Sequence, residues 1–478
     1  MIDVEFVSVT NIQNAAWATP VYKNMIDLRL PPLALEALEK KKRQPAVEIF
    51  IPENKGTVRF IALRVAASST KKEREESGAA LYQKFSEGEE EVLVFDIRNQ
   101  VEQLGLDLIS GFLLAGWRFN KYRTAQPEKE KFLLQVLCQD PKNVEAVFFR
   151  TRAILEGVFY ARSLTSEPPN VLFPAAYAER LRELEEQGVG LEILDPTTLQ
   201  KLGMRAILGV GKGSVHAPCV AILTWKGPSS PGQPIVIVGK GVTFDSGGLC
   251  LKSKVCQQEM KWDKAGAGVV AGLMKSLALQ KAPVHVIGII GLAENMPDGN
   301  ALKPGDIIRT SSGQTIEITD TDSEGRLVLA DCLWYAQNRF KPKAMLDLGT
   351  LTLETVAALG NVYGGLYTNS AELAKQLKEA GEVSGDRVWE LPMGASYAKQ
   401  LESSVADMKN EGHVLCGENG AAAEFIRKFT NGISWAHLDI AGVSWTKEDL
   451  PLAHKGVTGF GVRLLEEWLH AFDKDIYR

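Results

Sequence analysis

Three short, almost uninterrupted apolar runs constrain this chain more than anything else in it: Cys-Val-Ala-Ile-Leu-Thr-Trp at 219–225, Ile-Val-Ile-Val at 235–238 and Val-His-Val-Ile-Gly-Ile-Ile-Gly-Leu at 284–292. Runs of this length, with a helical pattern over 266–280 between them, read as strands of a sheet buried on both faces. A helix is expected over 175–187, and the Pro- and Ser-rich stretch 228–234 reads as an exposed loop.

The first third of the chain repeats the alternation on a smaller scale. Strands are expected over 46–52, 57–65 and 91–97, and helices over 79–86 and 100–116. The charged run 71–77 reads as a solvated loop or helix face. Between the two patterns, Val144, Val147, Thr151, Ile154, Val158 and Ala161 recur at steps of three and four and stop at the breaker Glu167-Pro-Pro-Asn170, which predicts a long helix over 143–164. A length of 478 residues is too great for one ordinary core. The expected organisation is a smaller N-terminal α/β domain over 1–142, a linking helix over 143–166 and a larger α/β domain over 167–478 with a mixed central sheet.

A net charge of -5 leaves no electrostatic footprint for nucleic acid and favours small-molecule or peptide substrates. The six cysteines show no CxxC spacing and mostly sit in apolar runs, as free thiols of a reducing, cytoplasmic compartment do. The N-terminal residues lack the basic and apolar regions of a signal peptide, and no apolar run approaches the roughly 20 residues of a membrane span.

Chemistry concentrates in two glycine-punctuated segments. Gly239-Lys-Gly-Val-Thr-Phe-Asp-Ser-Gly-Gly248 follows the run 235–238 and reads as a turn carrying Lys240 and Asp245 at the carboxyl end of a buried strand, where α/β sheets keep their sites. Alone it is equally a structural turn with a surface lysine and a capping aspartate, or a phosphate cradle, although it matches neither glycine-rich phosphate pattern in full. The second segment, Asp320-Thr-Asp-Ser-Glu-Gly-Arg326, sets Asp322 and Glu324 two apart, on one side of an extended chain. With Asp263 there are four carboxylates from three places; converging without cations they would be driven to protonate, and divalent metals remove that conflict. Gly209-Val-Gly-Lys-Gly-Ser214 fails the spacing of a phosphate-binding loop and reads as a sheet-to-loop connection.

These residues resemble the leucyl (cytosol) aminopeptidase family of dimetal exopeptidases, whose hallmark Asn-Thr-Asp-Ala-Glu-Gly-Arg-Leu stands here as Asp320-Thr-Asp-Ser-Glu-Gly-Arg-Leu327. The likeness extends through 239–248, Met260-Lys-Trp-Asp263, Glu294-Asn-Met-Pro297, Lys303-Pro-Gly-Asp306 and 435–443, about two thirds of the chain. It implies that Asp245 and Glu324 bridge two divalent ions (Mn or Zn), that Asp322 completes one site, and that Asp263 with Lys240 as the neutral amine completes the other. It further implies that Lys252 polarises the scissile carbonyl and that Arg326 holds a bicarbonate, which takes a proton from the water activated by the two metals. One metal would bind the free α-amine of a peptide, with leucine-like N-terminal residues as first substrates, and the assembly would be a homohexamer. His437 lies in an apolar run and reads as a core histidine.

The same alignment puts Met260, Thr350, Leu353, Ala441 and Ser444 around the pocket for the N-terminal side chain. Leu353 stands where the family usually has glycine, which implies a narrower pocket, and Asp320 replaces the family's asparagine. The segment 413–420 lacks the usual Gly-Arg and Gly-Ser elements, and 263–268 exchanges mostly one small residue for another. Two rival readings are a weakly active or inactive member serving as a structural or DNA-binding scaffold, and a dimetal phosphoesterase.

Overall fold

A computed structural model describes residues 2–10, 15–22, 36, 40–41, 45–53, 56–66, 68–98, 102–125, 132–228, 230, 232–413 and 416–476. The start of the helix expected from 100, and parts of the 228–234 loop and the 413–420 segment, lie outside these residues. The chain divides into two units, residues 1–155 with 448–455 and residues 156–447 with 456–478.

The first unit holds a six-stranded sheet in the order Ile2–Val7, Phe132–Leu137, Val92–Asp96, Ala16–Tyr22, Gly56–Val65, Ala46–Glu53, parallel except for the last pair. The expected strands are present, but the helix expected over 79–86 runs from Lys71 to Ser86. Its true start is set by Thr70 and Glu73, which form a reciprocal capping box, so the charged run is its first turns rather than a loop. The buried face already includes Glu75 and Gly78, but it carries apolar side chains only from Ala79 onward, so the periodicity becomes visible only there.

The second unit is built on an eight-stranded mixed sheet in the order Val388–Glu390, Gly364–Thr368, Trp435–Asp439, Ala344–Gly349, Ile235–Asp245, His285–Asn295, Cys219–Lys226, Gly190–Leu194. Its four middle strands are mutually parallel. Burial along nearly the whole length of Cys219–Lys226, Ile235–Asp245 and His285–Asn295 accounts for the three apolar runs that stand out in the sequence. From Ile235–Asp245 the chain passes to His285–Asn295 on one side and later to Ala344–Gly349 on the other, which makes the carboxyl ends of these three strands a topological switch point.

Two local expectations are corrected. The segment after Val238 is not a turn: the strand continues to Asp245, buried at almost every position. Gly239 serves packing there, because a Cβ would lie 2.6 Å from the Gly266 carbonyl oxygen of the covering helix Ala265–Gln280. The turn comes later, at Gly247 and Gly248, whose φ values of 88° and 67° favour glycine. Residues 209–214 are the end of the helix Arg205–Val210 and a 3₁₀ turn, Gly211–Gly213, rather than a sheet-to-loop connection. Among the described residues, no helix is long and apolar enough to cross a membrane.

Candidate metal centre

Four peptide segments meet at the switch point. Lys240 and Asp245 belong to the strand Ile235–Asp245; Lys252 follows the turn after it. Asp263 closes the 3₁₀ turn Met260–Trp262 just before the helix Ala265–Gln280. Asp322 and Glu324 lie between the strand Thr315–Glu317 and the helix Gly325–Phe340, whose N-cap is Glu324.

The geometry is that of two lysines clamping four carboxylates. The Lys240 ammonium donates to Asp263 Oδ1 at 2.8 Å and to the Thr350 carbonyl at 2.9 Å, and lies 2.7 Å from Glu324 Oε1. Lys252 Nζ lies 2.8 Å from Asp245 Oδ2 and 2.5 Å from Asp322 Oδ1. One oxygen from each of Asp245, Asp322 and Glu324 falls within 4.8 Å of the others. All of these groups are buried except Lys252 and Asp322, which are partly exposed and form the open side.

Burial, with the field of the neighbouring carboxylates, pushes Asp263 and Asp322 up to about 8 and raises Glu324, despite the lysines beside them. Burial alone would depress Lys240 and Lys252, but the surrounding carboxylates hold both above the ordinary lysine range. Asp263 Oδ2 is buried with no hydrogen bond, and the buried oxygens Asp322 Oδ1 and Glu324 Oε1 meet only the ammonium groups of Lys252 and Lys240. Hard oxygen donors that converge on one point and resist ionisation even with two ammonium groups beside them are the donor set a divalent cation satisfies. The residues present therefore fit the metals that the resemblance implies.

Further residues fix this arrangement, and the sequence reading assigned them no role. Asn295 Nδ2 donates to Asp245 Oδ1 at 2.8 Å and to the Thr321 carbonyl at 3.0 Å. Asp439, at the end of its strand, accepts from Leu351 N, Thr352 N and Thr352 Oγ1, and so shapes the loop whose Thr350 holds Lys240 through its carbonyl and Asp263 through its hydroxyl. Asn410 grips the turn before Asp322, accepting from Thr319 N and donating to the Asp320 carbonyl. The Asp320 side chain accepts from Asp322 N at 3.0 Å, so its carboxylate closes a local turn. Asn295 and Asp439 both lie inside stretches that carry the family likeness, the only sequence signal available for them.

The structure brings Thr350 to the cluster and places Met260 in the turn before Asp263. Ala441 is half-buried and donates its N–H to Asp439 Oδ1. Ser444 is buried, its hydroxyl has no partner, and it lines a narrow cavity with Thr165, Ala265, Val269 and Phe460. Leu353 is 79% exposed in the first turn of the helix Leu353–Leu359 and is not part of the buried cluster. Arg326 is buried against Glu418 instead of facing the lysine–carboxylate cluster alone. His437 is a satisfied core residue, its Nδ1 at 2.5 Å from Asp347 Oδ1.

Residues 159–466 match the model of the cytosol aminopeptidase family, catalytic domain. The chain belongs to the cytosol aminopeptidase family. It is 47% identical over 360 residues to a probable cytosol aminopeptidase of Caulobacter vibrioides, covering 74% of this chain and 73% of that one. It is 40% identical over 439 residues to one of Rhizobium leguminosarum bv. trifolii, covering 90% and 88%. Among solved structures it is similar to the bottromycin maturation enzyme BotP in complex with Mn, with a TM-score of 0.85, 31% identity, and coverage of 96% of this chain and 100% of that one. Family membership makes the protein an aminopeptidase, a metallo-exopeptidase of the hydrolase class, with the catalytic domain in its larger unit.

Proposed function

We propose that Asp245, Glu324, Asp322, Asp263 and Lys240 hold two divalent ions, Mn or Zn, and that residues 167–478 use them to remove the N-terminal residue, leucine-like by preference, from peptides with a free α-amine. The convergence of Asp245, Asp322 and Glu324 within 4.8 Å, at the carboxyl ends of parallel strands, carries this reading. Mn in the BotP structure supports the choice of ion. Bound ions would supply Lewis-acid activation of water and of the scissile carbonyl.

The chain's own residues supply orientation and charge. Lys252, partly exposed between Asp245 and Asp322, is the fixed cation for the oxyanion that develops on the scissile carbonyl. Lys240 serves as a ligand only after it gives up its proton, and its neighbours Asp263 and Glu324 lose their need for an ammonium when divalent charge is present. Thr350 keeps Lys240 and Asp263 in register. Met260, Thr350, Leu353, Ala441 and Ser444 form the pocket for the N-terminal side chain, with Leu353 narrowing its entrance. Residues 1–142 would form the accompanying α/β domain and 143–166 the linking helix, in a cytoplasmic homohexamer.

The test is hydrolysis of leucyl and alanyl amides by protein stripped with chelator and reloaded with Mn or Zn, with an N-acetylated leucyl amide as blocked control. Turnover restored by metal, absent on the blocked substrate and reduced at least about 100-fold in Lys252→Ala, is the expected result. Filled metal sites with no turnover of either free amide would sink the proposal.

A further inference from the structure

Arg326 follows Glu324 by two residues and lies in the first turn of the helix Gly325–Phe340. Family resemblance gives its guanidinium an external anion, bicarbonate. The residues around it do not fit that anion. Arg326 Nη1 lies 2.5 Å from Glu418 Oε1 and donates to the Asn410 carbonyl at 2.8 Å, with both side chains of the ion pair buried. Glu418 is itself held: its Oε2 accepts from Gly412 N at 2.7 Å, and it stands in the first turn of the helix Glu418–Arg427. Its Oε1 has no hydrogen bond beyond the contact with Arg326.

The wider field is also unfavourable to a second anion. Glu411, next to the gripping Asn410, is pushed up by burial and then by the charges of Asp320 and Glu418. Bicarbonate would enter the field of these carboxylates and would have to displace a buried partner that sits at ion-pair distance from Arg326. Glu418 lies in the stretch 413–420, where this chain departs from the family pattern.

We infer that Glu418 is the resident anion of Arg326, a positioning carboxylate built into the chain where an external bicarbonate would otherwise bind. The inference rests on the aminopeptidase reading for its consequence in catalysis, but its structural content can be read without turnover. Through Arg326 and Asn410 the carboxylate also steadies the turn that carries Asp322.

Two measurements on the full-length, metal-loaded protein decide it. In the first, binding of ¹³C-bicarbonate is followed by NMR line broadening for the wild type and for Glu418→Ala. The expected result is no saturable binding by the wild type and binding by the variant. Binding by the wild type, or by neither protein, overturns the inference. In the second, leucyl-amide hydrolysis is compared in CO₂-depleted buffer with and without added bicarbonate or formate. The wild-type rate should change by less than about twofold, while Glu418→Ala should lose at least about tenfold in kcat and recover with either carboxylate-like anion but not with chloride. Wild-type stimulation of several-fold overturns the inference. Glu418→Gln, which keeps an acceptor for Gly412 N, guards against a folding defect and should lose kcat with an unchanged thermal melt. Absence of turnover in every protein would instead count against the aminopeptidase reading, and the NMR result would still decide the anion.

Discussion

Asn295 stands opposite Asp245 across two parallel strands and donates its Nδ2 to Asp245 Oδ1 at 2.8 Å. Gly247 N donates to the same oxygen at 2.9 Å, so Oδ1 is occupied and Oδ2 faces Lys252 and the carboxylate cluster. The pairing depends on an irregularity between Ala293 and Asn295 that shifts the register by one residue.

Asn295→Ala should therefore lower metal affinity or activity by about 10–100-fold, the usual effect of removing a group that orients a ligand. Isothermal titration of Mn into the stripped protein, with hydrolysis of leucyl amide, checks it. An unchanged affinity would mean that Gly247 N alone orients Asp245.

Gly325 leaves no room for a side chain beside the clamp. A Cβ there would lie 2.6 Å from Lys240 Cε, 2.7 Å from its Nζ and 2.7 Å from Leu351 Cδ2. The ends of both side chains can move, so Gly325→Ala is expected to fold with a small change in Tm yet to displace Lys240 and reduce kcat/KM at least about 100-fold. Metal content measured with activity separates a lost ligand from a misplaced one.

Leu353 carries no packing role at 79% exposure. Leu353→Gly should cost no more than about 1 kcal/mol, the helix propensity difference, in thermal or urea unfolding. If Leu353 narrows the pocket, hydrolysis of bulky N-terminal residues should rise relative to alanyl amide. An unchanged ratio would remove Leu353 from the specificity pocket.

Asp331 offers a stability signal remote from the centre. Burial pushes its carboxyl up to about 6 from 3.8, although Ser311, Ile207 and Ala206 all donate to it. The folded state binds this proton more tightly than the unfolded chain does, so the contribution is fully present below 3.8 and is lost as pH rises through about 6. The stability of the wild type relative to Asp331→Asn should fall over that window in urea melts at stepped pH. A difference that is flat or rises with pH would show that the four donors keep Asp331 ionised throughout.

The α/β class, the buried central strands and the ligand-type residues were legible in the sequence because each is written locally. A strand buried on both faces must be apolar along its length, and a carboxylate-rich glycine segment announces itself within a few residues. Local pattern misread the segment 239–248, since glycines that admit a covering helix look the same as glycines that make a turn. It also started the helix Lys71–Ser86 at residue 79, because its first turns bear charge rather than apolar periodicity.

What only the tertiary structure decided is which groups neutralise and orient the site. Asn295 meets Asp245, Asp439 meets Leu351 of the Thr350 loop, and Glu418 meets Arg326 across sequence separations of 50, 88 and 92 residues. Composition, periodicity and spacing report a residue's own neighbourhood along the chain. Hydrogen bonds and ion pairs depend on separations of about 3 Å in space, and the register of parallel strands and the docking of helix ends set those distances.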